Sequence, residues 1–398
     1  MTNRRDFLKL VGATSGGMLF LPQFLTAMSR ESLMAQAQIN GNILVVIQLN
    51  GGNDGLNTFI PYTDPMYYTL RKTIGMPKDK VLNAANGMGF HPAMQGFNDI
   101  LQDGALSVVQ NVGYPNPNRS HFRSIEIWQN GSASDEFKSR GWLGRYLDAH
   151  CKTEDNLAGL NLDVLDSPAL RSFNPHSLTI QDPVRFEKQL KQLGQDSVVT
   201  HGEESQLSFV RKLMVNSFSG SENIQKAIDK SKIQTATYPK HKLAQDLQWI
   251  ARMIKGDLPT SVYYTSQGGF DTHANQLGKQ PQLLKELSES VKAFYDDLKN
   301  SGLINRTTIL VFSEFGRRAA ENGSGTDHGT AAPVFVLGGG LKSQIVGSNP
   351  DLNNLDSNGD LKHQIDFRSI YASILQNRFN FDPLKADIKI PAHKGLFV

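Results

Sequence analysis

The sequence predicts an α/β fold, a central, mostly parallel sheet with helices on both faces, carrying a helical or irregular insertion. Three observations point there. Five short apolar runs, Ile43–Leu49, Leu106–Asn111, Ser261–Thr265, Thr308–Ser313 and Pro333–Leu337, have the length and composition of strands buried on both faces. Amphipathic helical patterns separate them: Pro92–Gln102, Ser120–Gln129, Gly141–Ala149, His241–Ile254, Gln282–Asn300 and Asp366–Arg378. Beyond the runs come glycines, carboxylates and imidazoles, placed where open α/β sheets bind ligands.

Residues 1–37 stand apart from this pattern. "NRRDFLKLVGATSGGMLFLPQFLTA" sets Arg4-Arg5 before Phe7-Leu8-Lys9 and a weakly apolar stretch, as in a twin-arginine export signal. Gly16-Gly17, Pro22 and Gln23 interrupt the stretch, which falls short of the roughly 20 apolar residues of a membrane span. "MAQAQ" offers an Ala35-x-Ala37 cleavage site, so the mature start is expected near Gln38. The twin-arginine translocase is the expected partner, the destination periplasmic or secreted, and no stable membrane anchor is expected after cleavage. The single cysteine, Cys151, cannot form an internal disulfide, so the core alone must stabilise the chain in an oxidising compartment.

The whole chain carries +3, and without the four basic and two acidic residues of 1–37 it carries +1. That balance, with no basic run, argues against nucleic-acid binding. Residues 38–398 suffice for one large domain. Within it, 152–236 is rich in Lys, Gln, Ser and Asn and shows no strong strand pattern. It is expected to be an insertion or cap.

The strand ends carry the chemistry. Asp54 follows the first run in "NGGNDG"; it could ligate a metal, or Asn-Asp-Gly could be a plain turn with Asx hydrogen bonds. "NPNRSHFRSIEIWQNG" breaks the chain at Pro115 and Pro117 and opens a helix at Ser120. Ser120 is either a helix cap alone or a cap whose hydroxyl also reacts, beside free N–H groups and the positive end of a helix dipole. Arg119, His121 and Arg123 could neutralise or orient an anion there. Asp271 and His273 follow the third run, Glu314 and Arg317 the fourth, and Asp327-His328 precede the fifth. Carboxylates and imidazoles from separate strands, converging at one sheet edge, suit a divalent cation.

In this order, "LNGGNDGLNTFIPY", "RSHF", "GGFDTH", "FSEFGRR" and "DHGTA" resemble the DUF1501 family of exported proteins and, more broadly, the alkaline phosphatase and sulfatase superfamily. The resemblance runs from about 42 to 380. It implies two divalent ions (Zn²⁺, Mn²⁺, Mg²⁺ or Ca²⁺), the first on Asp271, His273 and His328, the second on Asp54 and Glu314. Ser120 would be the nucleophile between them, and Arg119 and Arg317 the anion-binding residues. The implied activity is hydrolysis of phosphate or sulfate esters.

Two departures bear on that expectation. Only Thr272 separates Asp271 from His273, where alkaline phosphatases have three intervening residues, and Phe315 stands where they place a second imidazole. The alternative is therefore a catalytically degenerate member acting as a cell-surface or glycan-binding protein.

Overall fold

The computed structural model describes residues 41–152, 155–195, 204–231 and 235–398; the expected export signal lies outside them. The first half contains β1 (Ile43–Leu49), β2 (Phe59–Ile60), α1 (Pro65–Leu70), β3 (Leu82–Ala85), β4 (Met88–Phe90), α2 (Gln95–Gln102), β5 (Leu106–Gly113), α3 (His121–Asn130), α4 (Trp142–His150), β6 (Gly159–Leu162) and β7 (Ser177–Ile180). Then follow α5 (Pro183–Gln195), α6 (Glu204–Lys230), α7 (Lys242–Lys255), β8 (Val262–Gln267), α8 (Gln276–Asn300), β9 (Thr307–Ser313), β10 (Ala332–Gly338), β11 (Ile345–Val346), β12 (Ile365–Asp366) and α9 (Phe367–Ser373).

The main sheet runs β11-β5-β10-β9-β1-β8-β6-β7, with β12 also on β5. Its pairings are parallel except those of β10, which is antiparallel to β5 and β9. The sheet is therefore mostly parallel, as expected. β2, β4 and β3 form a small separate sheet.

Side chains alternate between two apolar layers, as a strand period of two requires. Ile43, Val45, Ile47 and Leu49 of β1 join one core with helices α2, α7 and α8, while Leu44 and Val46 join the other with α3, α4 and α9. Full burial of each such side chain contributes about 1.5–3 kcal/mol. Trp128 of α3 stacks between Phe312 of β9 and Phe367 of α9, at centroid distances of 4.8 and 4.3 Å. That stack seats α3, and with it Ser120 and His121, against the end of β9.

Two expectations change. The stretch 152–236 holds β6 and β7, which extend the main sheet beside β8. Both are four-residue strands with polar residues inside them, β7 at the sheet edge, and are too short to stand out by composition. Helix α8 begins at Gln276, with Pro281 inside it, rather than at Gln282. Its first turns are held by buried Gln276 and Gln280, whose amides donate to Asp54 Oδ2 and to the Asp54 carbonyl. Among the described residues no helix is long and apolar enough to cross a membrane.

Candidate metal centre

Sheet topology explains why the polar residues meet. β1, β5, β8 and β9 run one way and end at the same edge, while β10 runs the other way and starts there. Leu49 stands level with Gln267 and Ser313, so the segments beginning at Asn50, Gly268 and Glu314 leave the sheet together. An antiparallel bridge between Arg317 and His328 brings the approach to β10 onto the exit from β9. Ser120 and His121 arrive from β5 through the start of α3.

Gly51 and Gly52 let these segments close on one another. Gly51 has φ +119°, and a Cβ there would lie 2.4 Å from the Asp271 nitrogen. Gly52 has φ +69°, and its Cβ would lie 2.3 Å from the Phe315 ring. The close approach that requires glycine here is loop against loop.

Three imidazoles surround one carboxylate oxygen. Asp271 Oδ1 lies 3.1 Å from His273 Nε2, 3.3 Å from His328 Nε2 and 3.5 Å from His121 Nε2. Each ring is held through its other nitrogen. His121 Nδ1 meets Glu314 Oε1 at 2.7 Å, His273 Nδ1 meets Asp327 Oδ1 at 3.1 Å, and His328 Nδ1 meets the Arg119 carbonyl at 2.8 Å. In the tautomer that donates Nδ1–H to these acceptors, each Nε2 carries a lone pair facing Asp271. Anchoring a ligand imidazole through its second nitrogen is the usual arrangement around a bound metal.

The donor set fits a cation. His273 Nε2 and His328 Nε2 stand 2.9 Å apart, and buried His121 Nε2 has no hydrogen-bond partner among the described residues. In that tautomer acceptors face acceptors, which repel unless a positive charge lies among them. Tetrahedral Zn²⁺, with bonds of about 2.0–2.1 Å, spaces its ligand atoms about 3.3 Å apart, close to the 2.9–3.5 Å of the Asp271 pairs with the three rings and of His273 with His328. His121, Asp271 and His328 form a triad that could hold a metal ion, their candidate atoms within 4.8 Å of one another. His273 stands beside this triad, its Nε2 3.1 Å from Asp271 Oδ1 and 2.9 Å from His328 Nε2.

Charge around the centre is fixed by Arg317. Burial alone would raise the Asp271 pKa, but the Arg317 guanidinium at 2.6 Å, helped by His328 and His273, holds it at about 2. His121 is shifted upward, chiefly by its hydrogen bond to Glu314, and His328 downward by burial.

Several expected site residues stand elsewhere. Asp54 is buried and outside the triad; its Oδ2 pairs with Arg71 at 2.5 Å, with both side chains wholly buried. Glu314 lies behind His121 and accepts Ser313 Oγ and the Gly51 N–H as well. Arg317 donates to the carbonyls of Gly51, Gly52, Phe270 and Thr326 besides Asp271, so its donors are engaged within the protein. Arg119 is tied to Asp356 and Asp360. Arg123 bonds Glu126 and the carbonyls of Ser134 and Glu136, and stacks on Phe137, so the structure does not bring it to the cluster. Ser120 is the N-cap of α3 as expected, exposed, with no side-chain cap bond.

Sequence reasoning missed Arg71, Gln276 and Ser124, whose hydroxyl donates to the Glu314 carbonyl at 2.6 Å. It also gave Phe315 no role. The Phe315 ring packs 4.8 Å from His121 and 4.9 Å from His328 and supports both.

The sequence profile of a family described as "Protein of unknown function (DUF1501)" matches residues 42–380. No curated protein matches the chain. Among solved structures, it is similar to the lipoteichoic acid synthase LtaP from Listeria monocytogenes, at 10% identity and TM-score 0.37, covering 88% of this chain and 78% of that one. A protein in the alkaline phosphatase superfamily from Vibrio parahaemolyticus aligns at 10% identity and TM-score 0.40, over 89% and 71%. The phosphonate monoester hydrolase SpPMH from Silicibacter pomeroyi aligns at 9% and 0.40, over 89% and 77%.

Proposed function

The chain belongs to the DUF1501 family, and from that premise we propose that it is an exported, metal-dependent hydrolase of phosphate or sulfate esters with Ser120 as nucleophile. The convergence of three anchored imidazoles on Asp271 Oδ1 carries this reading.

The centre is read as holding one ion. A second would need Asp54 and Glu314, but Arg71 already neutralises Asp54, and Glu314 is engaged by His121, Gly51 and Ser313. Three imidazoles and one carboxylate favour Zn²⁺, or Mn²⁺ next, over Mg²⁺ and Ca²⁺, which prefer oxygen. When bound, the ion would supply Lewis acidity, polarising the ester and lowering the pKa of a nearby hydroxyl.

The chain's own residues do the rest. Glu314, Asp327 and the Arg119 carbonyl hold the imidazoles in the ligating tautomer. Ser120, one residue from His121, presents a hydroxyl that no cap bond occupies, and its exposure lets its proton pass to water. Attack by Ser120 Oγ would expel the alcohol and leave a seryl ester for water to cleave. The positive end of α3 favours the anionic substrate. Export through the twin-arginine route belongs to the same proposal and rests on Arg4-Arg5 and the stretch after them.

The test is turnover of 4-nitrophenyl phosphate, bis-(4-nitrophenyl) phosphate and 4-nitrophenyl sulfate by the zinc- and manganese-loaded protein, with Ser120→Ala and His328→Ala beside it. Metal-dependent turnover abolished in both variants is expected. Turnover unchanged in Ser120→Ala would remove the nucleophile assignment. Bound metal without turnover of any ester would favour a binding protein.

A further inference from the structure

Residues 115–119 lead from β5 to the start of α3 and carry the anchor of one ring of the metal centre. The Arg119 carbonyl, which can only accept, takes the Nδ1–H of His328 at 2.8 Å. Among the described residues, no backbone–backbone hydrogen bond fixes 115–119. Side chains fix the segment instead. The Asn118 N–H donates to the buried Tyr114 hydroxyl at 3.1 Å, and the Ser120 N–H to Asn118 Oδ1 at 2.8 Å. The Arg119 guanidinium closes on Asp360. Its Nε donates to Asp360 Oδ2 at 2.7 Å, and its Nη2 to the same oxygen and, at 3.3 Å, to Asp356 Oδ2.

The acceptor of this clamp is itself fixed. The Asp360 carboxylate is wholly buried. The Asp360 N–H donates to Asp356 Oδ1 at 2.9 Å, and the Asp360 carbonyl accepts the Asp356 N–H at 2.9 Å. Leu361, the next residue, accepts Thr330 Oγ1 on its carbonyl at 2.5 Å. Thr330 lies two residues beyond His328, so the loop that holds Arg119 is fastened to the segment that carries the ring. Asp360 Oδ1 has no hydrogen-bond partner among the described residues, which is unfavourable for a buried acceptor. A buried ion pair adds little net stability, so what this carboxylate supplies is position.

We infer that Asp360 is a positioning residue of the metal centre, which through Arg119 aims the carbonyl that orients His328. The inference rests on the metal-binding part of the proposed function and is independent of ester hydrolysis. A planar guanidinium held through both Nε and Nη2 cannot turn about its stem. The side chain is thereby fixed against its own peptide, and the carbonyl keeps its direction. Without Asp360 the segment loses its buried tether, the carbonyl turns towards water, and the His328 ring loses the partner that orients it. Ser120 follows Arg119 directly, so the same clamp sets where α3 begins.

The experiment makes two measurements on Asp360→Ala, Asp360→Asn, Arg119→Ala and the double variant of Arg119→Ala with Asp360→Ala. Glu289→Gln, which alters an exposed carboxylate of α8, is the charge control. Zinc affinity is read by competition with a chromogenic chelator. The His328 ring is read in the metal-free protein by NMR of isotopically labelled histidine, its signal assigned by its loss in His328→Ala. Wild type should show a protonated Nδ1 whose proton exchanges slowly with water. In Asp360→Ala that slow exchange should be lost and zinc affinity should fall about tenfold, the lower end for removing a ligand's anchor. Asp360→Asn, which keeps an acceptor for Nε, should lose less, and Glu289→Gln nothing. Because Asp360 acts through Arg119, the double variant should lose no more than either single one. Equal zinc affinity in Asp360→Ala and wild type would overturn the inference. Reduced affinity with the His328 signal intact would overturn it too, since a general loosening of the fold gives that result, and so would additive losses in the double variant. If Asp360→Ala fails to fold, Arg119→Ala decides by the same two signals. The readings fail separately. Unchanged zinc affinity in Asp360→Ala beside ester turnover defeats only the clamp, bound zinc without turnover of any ester defeats only the hydrolase, and a wild type without zinc affinity defeats both.

Discussion

Glu314 Oε1 accepts the Nδ1–H of His121 at 2.7 Å, and this bond determines which nitrogen of His121 faces Asp271. Removing such an anchor typically weakens metal affinity about 10- to 100-fold. Glu314→Ala should fall in that range and Glu314→Gln, which keeps one acceptor, should lose less. Competition against a chromogenic chelator measures both. Affinity unchanged in Glu314→Ala would show that the ring is oriented by Phe315 packing instead.

Asp54 and Arg71 form a buried ion pair away from the triad. Breaking such a pair from one side costs about 3–5 kcal/mol, while replacing both charges is often close to neutral. Arg71→Met should therefore destabilise the protein strongly in urea, and Asp54→Asn with Arg71→Met should recover much of the loss. A double variant no more stable than Arg71→Met would show that the Asn57, Ala319 and Arg318 contacts of the guanidinium matter more than the charge.

Gly52→Ala meets the Phe315 ring and must adopt a left-handed backbone. Overpacking of this kind costs about 1–3 kcal/mol. A lowered melting temperature is expected, partly restored by Phe315→Ala in the same chain. Restoration tests the contact, because strain from the backbone alone would be insensitive to residue 315.

His91 supplies a pH dependence. Burial pushes its pKa down to about 4, and its Nδ1 accepts the Ala93 N–H, which requires an unprotonated nitrogen. The unfolded chain takes up this proton near pH 6.5 and the folded chain only near pH 4. Stability from this group is therefore fully present above about pH 6.5 and is lost as pH falls towards 4, by about 3 kcal/mol. In urea denaturation of the metal-free protein, His91→Gln should show a shallower decline across that window. Parallel profiles would mean that His91 titrates normally in the fold.

Much of this was readable in the chain. β1, β9 and β10 are continuous apolar runs, and the structure places them within a residue or so of their expected limits. That Ser120, Asp271 and His328 emerge at one sheet edge followed from the polar residues at the strand ends and from the order of the motifs. The partners did not. Arg71 lies in "TLRKTIG", with no periodicity or motif to mark it, and becomes Asp54's counter-charge only after the loop after α1 folds back. Glu314 and His121 could not be ranked as ligand and support from spacing, since which atom faces inward depends on the hydrogen bond at the other end of the ring. β6 and β7 were lost because four residues carry too little apolar signal to outweigh the polar sequence around them.

The central claim is a single cation held by His121, Asp271, His273 and His328. Its most direct test is metal content by plasma mass spectrometry on protein purified without chelator, with Asp54→Asn and His328→Ala prepared alongside. About one equivalent in wild type, retained in Asp54→Asn and lost in His328→Ala, is the expected result. Two equivalents with one lost in Asp54→Asn, or no metal in wild type, would contradict it.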